Sequence, residues 1–520
     1  MVRYERRYTT MSATTALPRA LSTRRPSRHP VARTFLPVTF TASKEAVLFT
    51  CALGMFAGGM ASFPIAVIMP TIAETFRVEL PSAQWAMTGH FVALAATMLP
   101  VGSAGDIVGR SRIFVAGFGV LIVSLLATPL SSVSFDLFVF LRVLQGIGSG
   151  MVMVTAPAIV SAAFPPEERG RALGLTLLGG WVATGLGQPL FGALVESGAW
   201  YLPFLVAFVP SALALALSFK LPRVEPQTEQ PFDPRGALLL MVGFGGFVVA
   251  AGHGQEAGWE FVHTLEHVGP LAALSVAALV VYGLHARREP HPILPLNLFR
   301  SPTLTTATTA NGLAHMTMLM VGFLMPFYLQ HVLGYSPLAV ALFLVPMALM
   351  LNLMAFPSGW IYDRYGSRLP CSFAMVGGAL LLFSFTGLTL TSGVWDVVLR
   401  LIGAGAVLGF FVTPNVSAIL SAVPSQHYSL AAGLEQTSRN LGHALGTVLA
   451  SSVASAVLAS ASAGATPDTY VHIVHAASGI AAALMALGSL LVVFRVEGTG
   501  NRVPPASVTL EEPEPTGSRA

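Results

Sequence analysis

Gly102-Ser103-Ala104-Gly105-Asp106-Ile107-Val108-Gly109-Arg110-Ser111-Arg112 is a short, charged, glycine-rich turn between two apolar runs, residues 83–101 and 113–130. Each run is long enough to cross a bilayer as a helix. The glycines permit a tight turn and a close approach of two helices. Arg110 and Arg112 suit a cytoplasmic loop, where basic residues accumulate. Asp106 is a carboxylate at a membrane edge, where it can face the N-terminus of a neighbouring helix.

The chain repeats this stretch. Gly359-Trp360-Ile361-Tyr362-Asp363-Arg364-Tyr365-Gly366-Ser367-Arg368 carries the same Gly, Asp, Gly and basic positions, with Asp363 257 residues after Asp106. Arg400 follows Arg142 by 258 residues and Pro337 follows Pro81 by 256. Three landmarks within one residue of a common offset predict two related halves, the parallel repeat that membrane transporters often use.

Composition places the chain in lipid. It is 54% hydrophobic and only 10% charged, against roughly 25% charged residues in an average soluble domain, and its mean hydropathy is +0.70. Fifty glycines suit close helix packing in a membrane. The net charge of +4 sits in tails and loops and does not point to nucleic acid. Cys51 and Cys371 fall in different apolar segments, without metal-like spacing or support for a disulfide.

Residues 1–43 are rich in Arg, Ser, Thr and Pro and read as a disordered cytoplasmic tail. Apolar spans follow near 46–69, 83–103, 113–131, 135–160, 171–194 and 200–219, then 236–252 and 267–286, then 303–329, 337–358, 369–390, 396–420, 429–456 and 470–494. About fourteen transmembrane helices result. The expected organisation is an all-α integral membrane protein: a six-helix bundle over 44–220, a linker over 221–300 holding two extra helices, a second six-helix bundle over 301–495, and a cytoplasmic tail over 496–520. Alternate loops carry Arg110, Arg169, Arg171, Lys220, Arg287, Arg288, Arg364 and Arg368, on the side of the basic N-terminal tail. The others hold Glu74, Asp136, Glu196, Glu256, Glu260 and Asp468. Both termini are therefore expected in the cytoplasm, with the chain in the cell membrane.

These residues resemble the major facilitator superfamily and, within it, the fourteen-helix drug:proton antiporter family, over about residues 46–495. The loop Gly102–Arg112 is similar to the superfamily's loop between helices two and three. Arg142-Val143-Leu144-Gln145-Gly146-Ile147-Gly148 resembles the fourth-helix motif, and Gly187-Gln188-Pro189-Leu190-Phe191-Gly192 the antiporter motif of helix five. Trp85–His90, Pro70–Ala73 and Phe327–Tyr335 are also family-like. The chain departs from the family where a first-helix Asp and Asn are usual, reading Ala61 and Ala66, and where Gln188 replaces the Gly before Pro189. The resemblance implies gating by the motif loops, through Gly102, Asp106, Gly109, Arg110 and Arg112 and their repeat mates Asp363, Arg364 and Gly366. It also implies that the helix-five motif lines the cavity between the halves, while the proton role of the first-helix Asp is left without its residue.

Several side chains have the chemistry for transport. Arg142 lies inside the fourth helix, where a charge is costly and marks function by default. It can stabilise a substrate anion or tune a proton acceptor, with Gln145 one turn on, or it can simply pack by bonding backbone carbonyls. Arg400, its repeat mate, has Asp396 one turn earlier and reads as a structural ion pair. Glu435, Arg439 and His443 share one helix face at spacings of four. Glu435 is either a proton carrier tuned by Arg439 or half of a self-satisfied pair. His90 and His315 sit in apolar spans and can titrate near neutral pH or bond a neighbour. Asn311 and Asn415 line a cavity or bond across helices. Gly187, Pro189 and Gly192 bend the fifth helix and let it sit close to a neighbour. No cluster has metal-ligand spacing, and no nucleophile–base pair or phosphate loop marks an enzyme.

The expected function is secondary active transport by a monomer in the lipid bilayer, exporting a small amphiphilic substrate by alternating access, coupled to protons and without a cofactor or metal. Import or export of a single metabolite or siderophore is the second reading, and a non-transporting sensor or membrane enzyme the third.

Overall fold

In a computed structural model, residues 43–493 are described apart from 63, 222–230, 257–267, 424–427 and 462–464. The regular elements among these residues are all helices, with no strand. The first six long helices are α1 (Lys44–Ser62), α2 (Trp85–Val108), α3 (Arg110–Ala127), α4 (Phe135–Ala163), α5 (Pro166–Glu196) and α6 (Leu202–Ser218). A hairpin of α7 (Pro234–Glu256) and α8 (Gly269–Ala286) follows. The last six are α9 (Pro302–His331), α10 (Pro337–Tyr365), α11 (Arg368–Ser384), α12 (Val394–Ser421), α13 (Tyr428–Ser460) and α14 (Pro467–Val493).

Among the described residues, 12 helical stretches are long and apolar enough to cross a membrane. The two expected spans outside that set are α5, whose apolar run is diluted by glycines and Gln188, and α6, which is apolar but only 17 residues long. The first span also differs from its expected form. Pro64 has no N–H to continue the helix, so α1 stops at Ser62, a 3-10 turn covers Pro64–Ile68, and a short helix resumes at Met69–Phe76. Local chemistry sets many other ends: Pro opens α5, α7, α9, α10 and α14, and the hydroxyls of Ser134, Ser301 and Ser336 accept N–H bonds at the starts of α4, α9 and α10.

The packing repeats as the sequence does. α1 packs on α4, α5 and α6, and α9 on α12, α13 and α14. α2 packs on α4 and α10 on α12, while α3 touches α4 and α6 and α11 touches α12 and α14. The two sets meet along two mirror-related seams, α2 against α13 and α5 against α10. The hairpin lies on one seam only, because α7 packs on both α2 and α13 and α8 packs on α7.

Glycines permit the closest approaches. A Cβ on Gly446 or Gly442 of α13 would strike the backbone carbonyls of Met316 or Gly312 on α9. Backbone cannot yield as a flexible side chain can, so Gly446→Leu should overpack α9/α13, costing about 1–3 kcal/mol or more. Thermal unfolding in detergent is expected to show a clear drop in midpoint; an unchanged midpoint contradicts the packing.

Candidate functional site

Arg142 is fully buried in the first set of helices. Its Nη1 donates to the Ala61 carbonyl at 2.7 Å and to Gln145 Oε1 at 2.6 Å, and its Nε donates to the Ala86 carbonyl at 2.8 Å. Because α1 ends at Ser62, the Ala61 carbonyl has lost its helical donor, and the guanidinium supplies one. Gln145 Nε2 passes the network to Thr128 at 3.1 Å, and Phe204 lies 5.9 Å from the guanidinium carbon. Arg142 thus ties α1, α2 and α4 together. Its repeat mate Arg400 is paired with Asp396 and donates to the Ser384 carbonyl at 2.9 Å.

His90 joins the same core. Ser62 Oγ donates its proton to the Gly58 carbonyl at 2.7 Å, so it accepts from His90 Nε2 at 2.8 Å. This assigns the tautomer: Nε2 carries the proton and the buried Nδ1, which has no hydrogen-bond partner among the described residues, is left as an acceptor.

The second polar set lies between α9 and α13. Glu435 Oε1 sits 3.6 Å from Arg439 Nη1, with both side chains largely buried. Asn311 Nδ2 donates to the Glu435 carbonyl at 3.0 Å and to Ser438 Oγ at 2.9 Å, and reaches Glu435 Oε1 at 3.5 Å. Arg439 Nη2 donates to Gln436 Oε1 at 2.5 Å. His315 Nδ1 faces the Asn311 carbonyl at 2.9 Å; a carbonyl only accepts, so Nδ1 carries the proton and Nε2 is free to accept. Asn415 Nδ2 donates to the Ala307 carbonyl at 3.1 Å, binding α12 to α9.

A line of rings joins this set to the other half. His315 and His443 have ring centroids 5.2 Å apart, and His443 lies 5.0 Å from Phe91 of α2. Thr88 and Thr447 share a 2.6 Å hydrogen bond, and Asn440 Nδ2 contacts Met98 Sδ at 3.5 Å, again between α2 and α13. On the α9 and α5 sides, Gln330 Nε2 donates to the Val67 carbonyl at 3.2 Å and the Leu338 N–H donates to Glu196 Oε1 at 3.1 Å. These four polar ties lie at mid-depth or toward the end that carries the acidic loops.

The motif loops sit at the opposite, basic end. Gly109 closes α2 and opens α3 with φ 109°, and Gly366 separates α10 from α11 with φ 76°, a region that disfavours side chains. Arg110 grips Asp106 Oδ1 through Nε at 2.9 Å and Nη2 at 2.8 Å, and its Nη1 donates to the Ala158 carbonyl of α4 at 3.0 Å. Arg112 Nη1 donates to the Val108 carbonyl at 3.3 Å. Gly102 lies against Val154 of α4. The sequence also suggests a latch from Asp106 to Ser425–Tyr428 and a mirror contact from Asp363 to Arg169–Arg171. Residues 424–427 and the Arg169 side chain lie outside the described residues. Since Asp106 is remote from Glu435 and Arg142, Asp106→Asn should cut transport while leaving substrate affinity within a few-fold. A large loss of affinity with normal flux kinetics would refute that separation.

In the helix-five motif, a Cβ on Gly192 would stand 2.7 Å from the Pro337 carbonyl and 2.9 Å from Leu338 Cα, so this glycine sets the α5/α10 contact. Gln188 follows one turn toward the basic end, beside Gly187 and Pro189; its Oε1 is buried without a partner among the described residues.

The structure therefore brings Glu435, Arg439, Asn311 and His315 together, and separately Arg142, Gln145 and His90. Ser62, Phe91, Thr88 and Thr447 join these sites without a local signal in the sequence. His443 has one, its place one turn beyond Arg439 on the same helix face.

The family model of the Major Facilitator Superfamily matches residues 51–447. The chain belongs to the Major Facilitator Superfamily. Within the superfamily it is 27% identical over 468 residues to the riboflavin transporter RibZ of Clostridioides difficile, covering 88% of this chain and 99% of that protein. It is 29% identical to the multidrug resistance protein Stp of Mycobacterium tuberculosis, covering 79% of this chain and 76% of that one. It is 28% identical to the tetracenomycin C resistance and export protein of Streptomyces glaucescens, covering 77% and 74%. The fold matches a bacterial homologue of the human lysosomal transporter Spinster, crystallised inward-facing, with TM-score 0.63 at 15% identity over 86% of this chain and 96% of that one. It also matches the Escherichia coli xylose transporter XylE, with TM-score 0.59 at 13% identity over 88% and 99%. A superfamily of membrane transporters, rather than an enzyme, is the setting for these residues.

Proposed function

We propose that this protein exports small amphiphilic molecules by alternating access, coupled to protons, through fourteen membrane-spanning helices with both termini in the cytoplasm of the cell. The observation that carries the reading is the buried Glu435–Arg439–Asn311 set beside the α2/α13 seam, a titratable group where two repeated helix sets meet. Relatives named for multidrug resistance and for tetracenomycin C resistance and export support the direction and cargo class. An alignment spanning nearly the whole of a riboflavin transporter, at 27% identity, favours the second reading, a carrier for one metabolite.

Charge narrows the cargo. A lipophilic cation stripped of water needs a partner carboxylate. The first helix offers Ala61, Arg142 contributes a positive charge, and Glu435 is shared with Arg439. Neutral or weakly acidic amphiphiles should therefore be carried better than permanent cations. The test is flux in proteoliposomes of a quaternary ammonium dye against a neutral drug, in wild type and Glu435→Gln. The neutral compound is expected to move several-fold faster. Strong export of the quaternary dye that survives Glu435→Gln overturns the charge argument, and flux of flavins alone in a substrate panel favours the single-metabolite reading.

A further inference from the structure

We propose that the α5/α10 seam is the route by which a bilayer-dissolved amphiphile enters the protein, and that Gln188 makes its first polar contact there. The proposal rests on the export reading above and adds the place of entry and the chemistry that the entering molecule must show.

The two seams between the helix sets are related by the repeat, yet they differ in cover. α7 spans the α2/α13 seam. Its Gly252 sits against the Trp85 ring of α2, His253 stacks edge-on to the same ring at 5.3 Å, and Gly245 faces Val92. In the apolar stretch of α2, 61% of the residues are buried; in its repeat mate α10 the share is 22%. The hairpin thus walls off one seam from lipid and leaves the other facing it. A molecule arriving from the membrane meets the hairpin at the first and a packed but uncovered helix pair at the second.

The open seam also carries a polar group without a partner. Gly192 brings α5 against Pro337, Leu338 and Ala341, and Glu196 caps the contact by accepting the Leu338 N–H. Those two contacts close the seam at its acidic end. Gln188 is four residues earlier, on the same face of α5, and its buried Oε1 has no hydrogen-bond partner among the described residues. A Cβ on Gly185, a further turn along, would meet nothing within 4 Å. An amide carbonyl buried without a donor is unfavourable. A cargo N–H or O–H donor offsets that cost, so the seam should select amphiphiles that carry a donor.

Two experiments on the full-length protein decide this. In proteoliposomes, Leu349→Cys on α10 and Leu274→Cys on α8, both exposed, are reacted with a bulky lipid-soluble maleimide; native Cys51 and Cys371 are buried. Labelling Leu349→Cys should lower flux of a membrane-partitioning drug about tenfold, and labelling Leu274→Cys should leave most of it. In a binding assay without a gradient, a drug with a free N–H is compared with its N-methyl analogue. Wild type should prefer the N–H compound by about tenfold, as expected for one hydrogen bond of about 1.4 kcal/mol, and Gln188→Leu should bind the two alike. Equal block at both labelled positions, or equal discrimination by wild type and Gln188→Leu, overturns the proposal. Unlabelled variants that bind the drug but carry none under any gradient refute the export reading instead, and the binding comparison still decides the role of Gln188.

Discussion

In proteoliposomes under an imposed pH gradient, Glu435→Gln is expected to lose gradient-driven flux by roughly 5–150-fold, the span of a coupling free energy of about 1–3 kcal/mol. Glutamine keeps the side-chain oxygen that Asn311 reaches at 3.5 Å, but it cannot take up or release a proton. Arg439 keeps its bond to Gln436, so the helix face survives the change. Gradient-independent counterflow should therefore remain within a few-fold of wild type. Glu435→Asp keeps a carboxylate but shortens a side chain that already sits 3.6 Å from Arg439, and should fall between the two. Glu435→Gln with full gradient-driven flux would remove this residue from proton coupling.

Arg142→Ala should cost more in stability than in specificity. It strips donors from the Ala61 and Ala86 carbonyls and from Gln145, all in a dry interior. Hydrogen bonds to a charged donor are worth about 1.5–3 kcal/mol each, and they are not additive, so a net loss of about 3–5 kcal/mol is expected. Arg142→Lys keeps a charge but not the planar fork that reaches carbonyls on two helices, and should recover only part of it. Thermal unfolding in detergent, together with the yield of monodisperse protein, reads the effect. Wild-type stability in Arg142→Ala would mean that the guanidinium is not what holds α1 and α2 to α4.

Much of the fold is legible in the sequence because lipid imposes a simple rule. A helix must satisfy its own backbone and present apolar side chains, so most spans appear as long hydrophobic runs. The repeat is visible in Asp106 and Asp363 because a tight turn demands glycine, as the positive φ of Gly109 and Gly366 confirms. The Arg400–Asp396 pair follows from i, i+4 spacing alone. The break at Ser62 was hidden inside an apolar run: Pro64 carries the signal, but prolines inside α2, α4 and α12 leave those helices continuous. The site was legible only within single helices. Glu435, Arg439 and His443 share a face by periodicity, whereas Thr88 and Thr447 stand 359 residues apart and meet only through packing. Likewise, the need for Arg142 at Ala61 arises from where α1 ends, which hydropathy does not reveal.

Purified protein reconstituted into liposomes, with a pH gradient imposed and then reversed, tests transport most directly. Proton-coupled export predicts that a neutral amphiphile accumulates against its own gradient, that reversing the pH step reverses the flux, and that Glu435→Gln cuts both movements by the same roughly 5–150-fold. A flux that ignores the pH step, or no flux of any amphiphile by correctly folded protein, would contradict it.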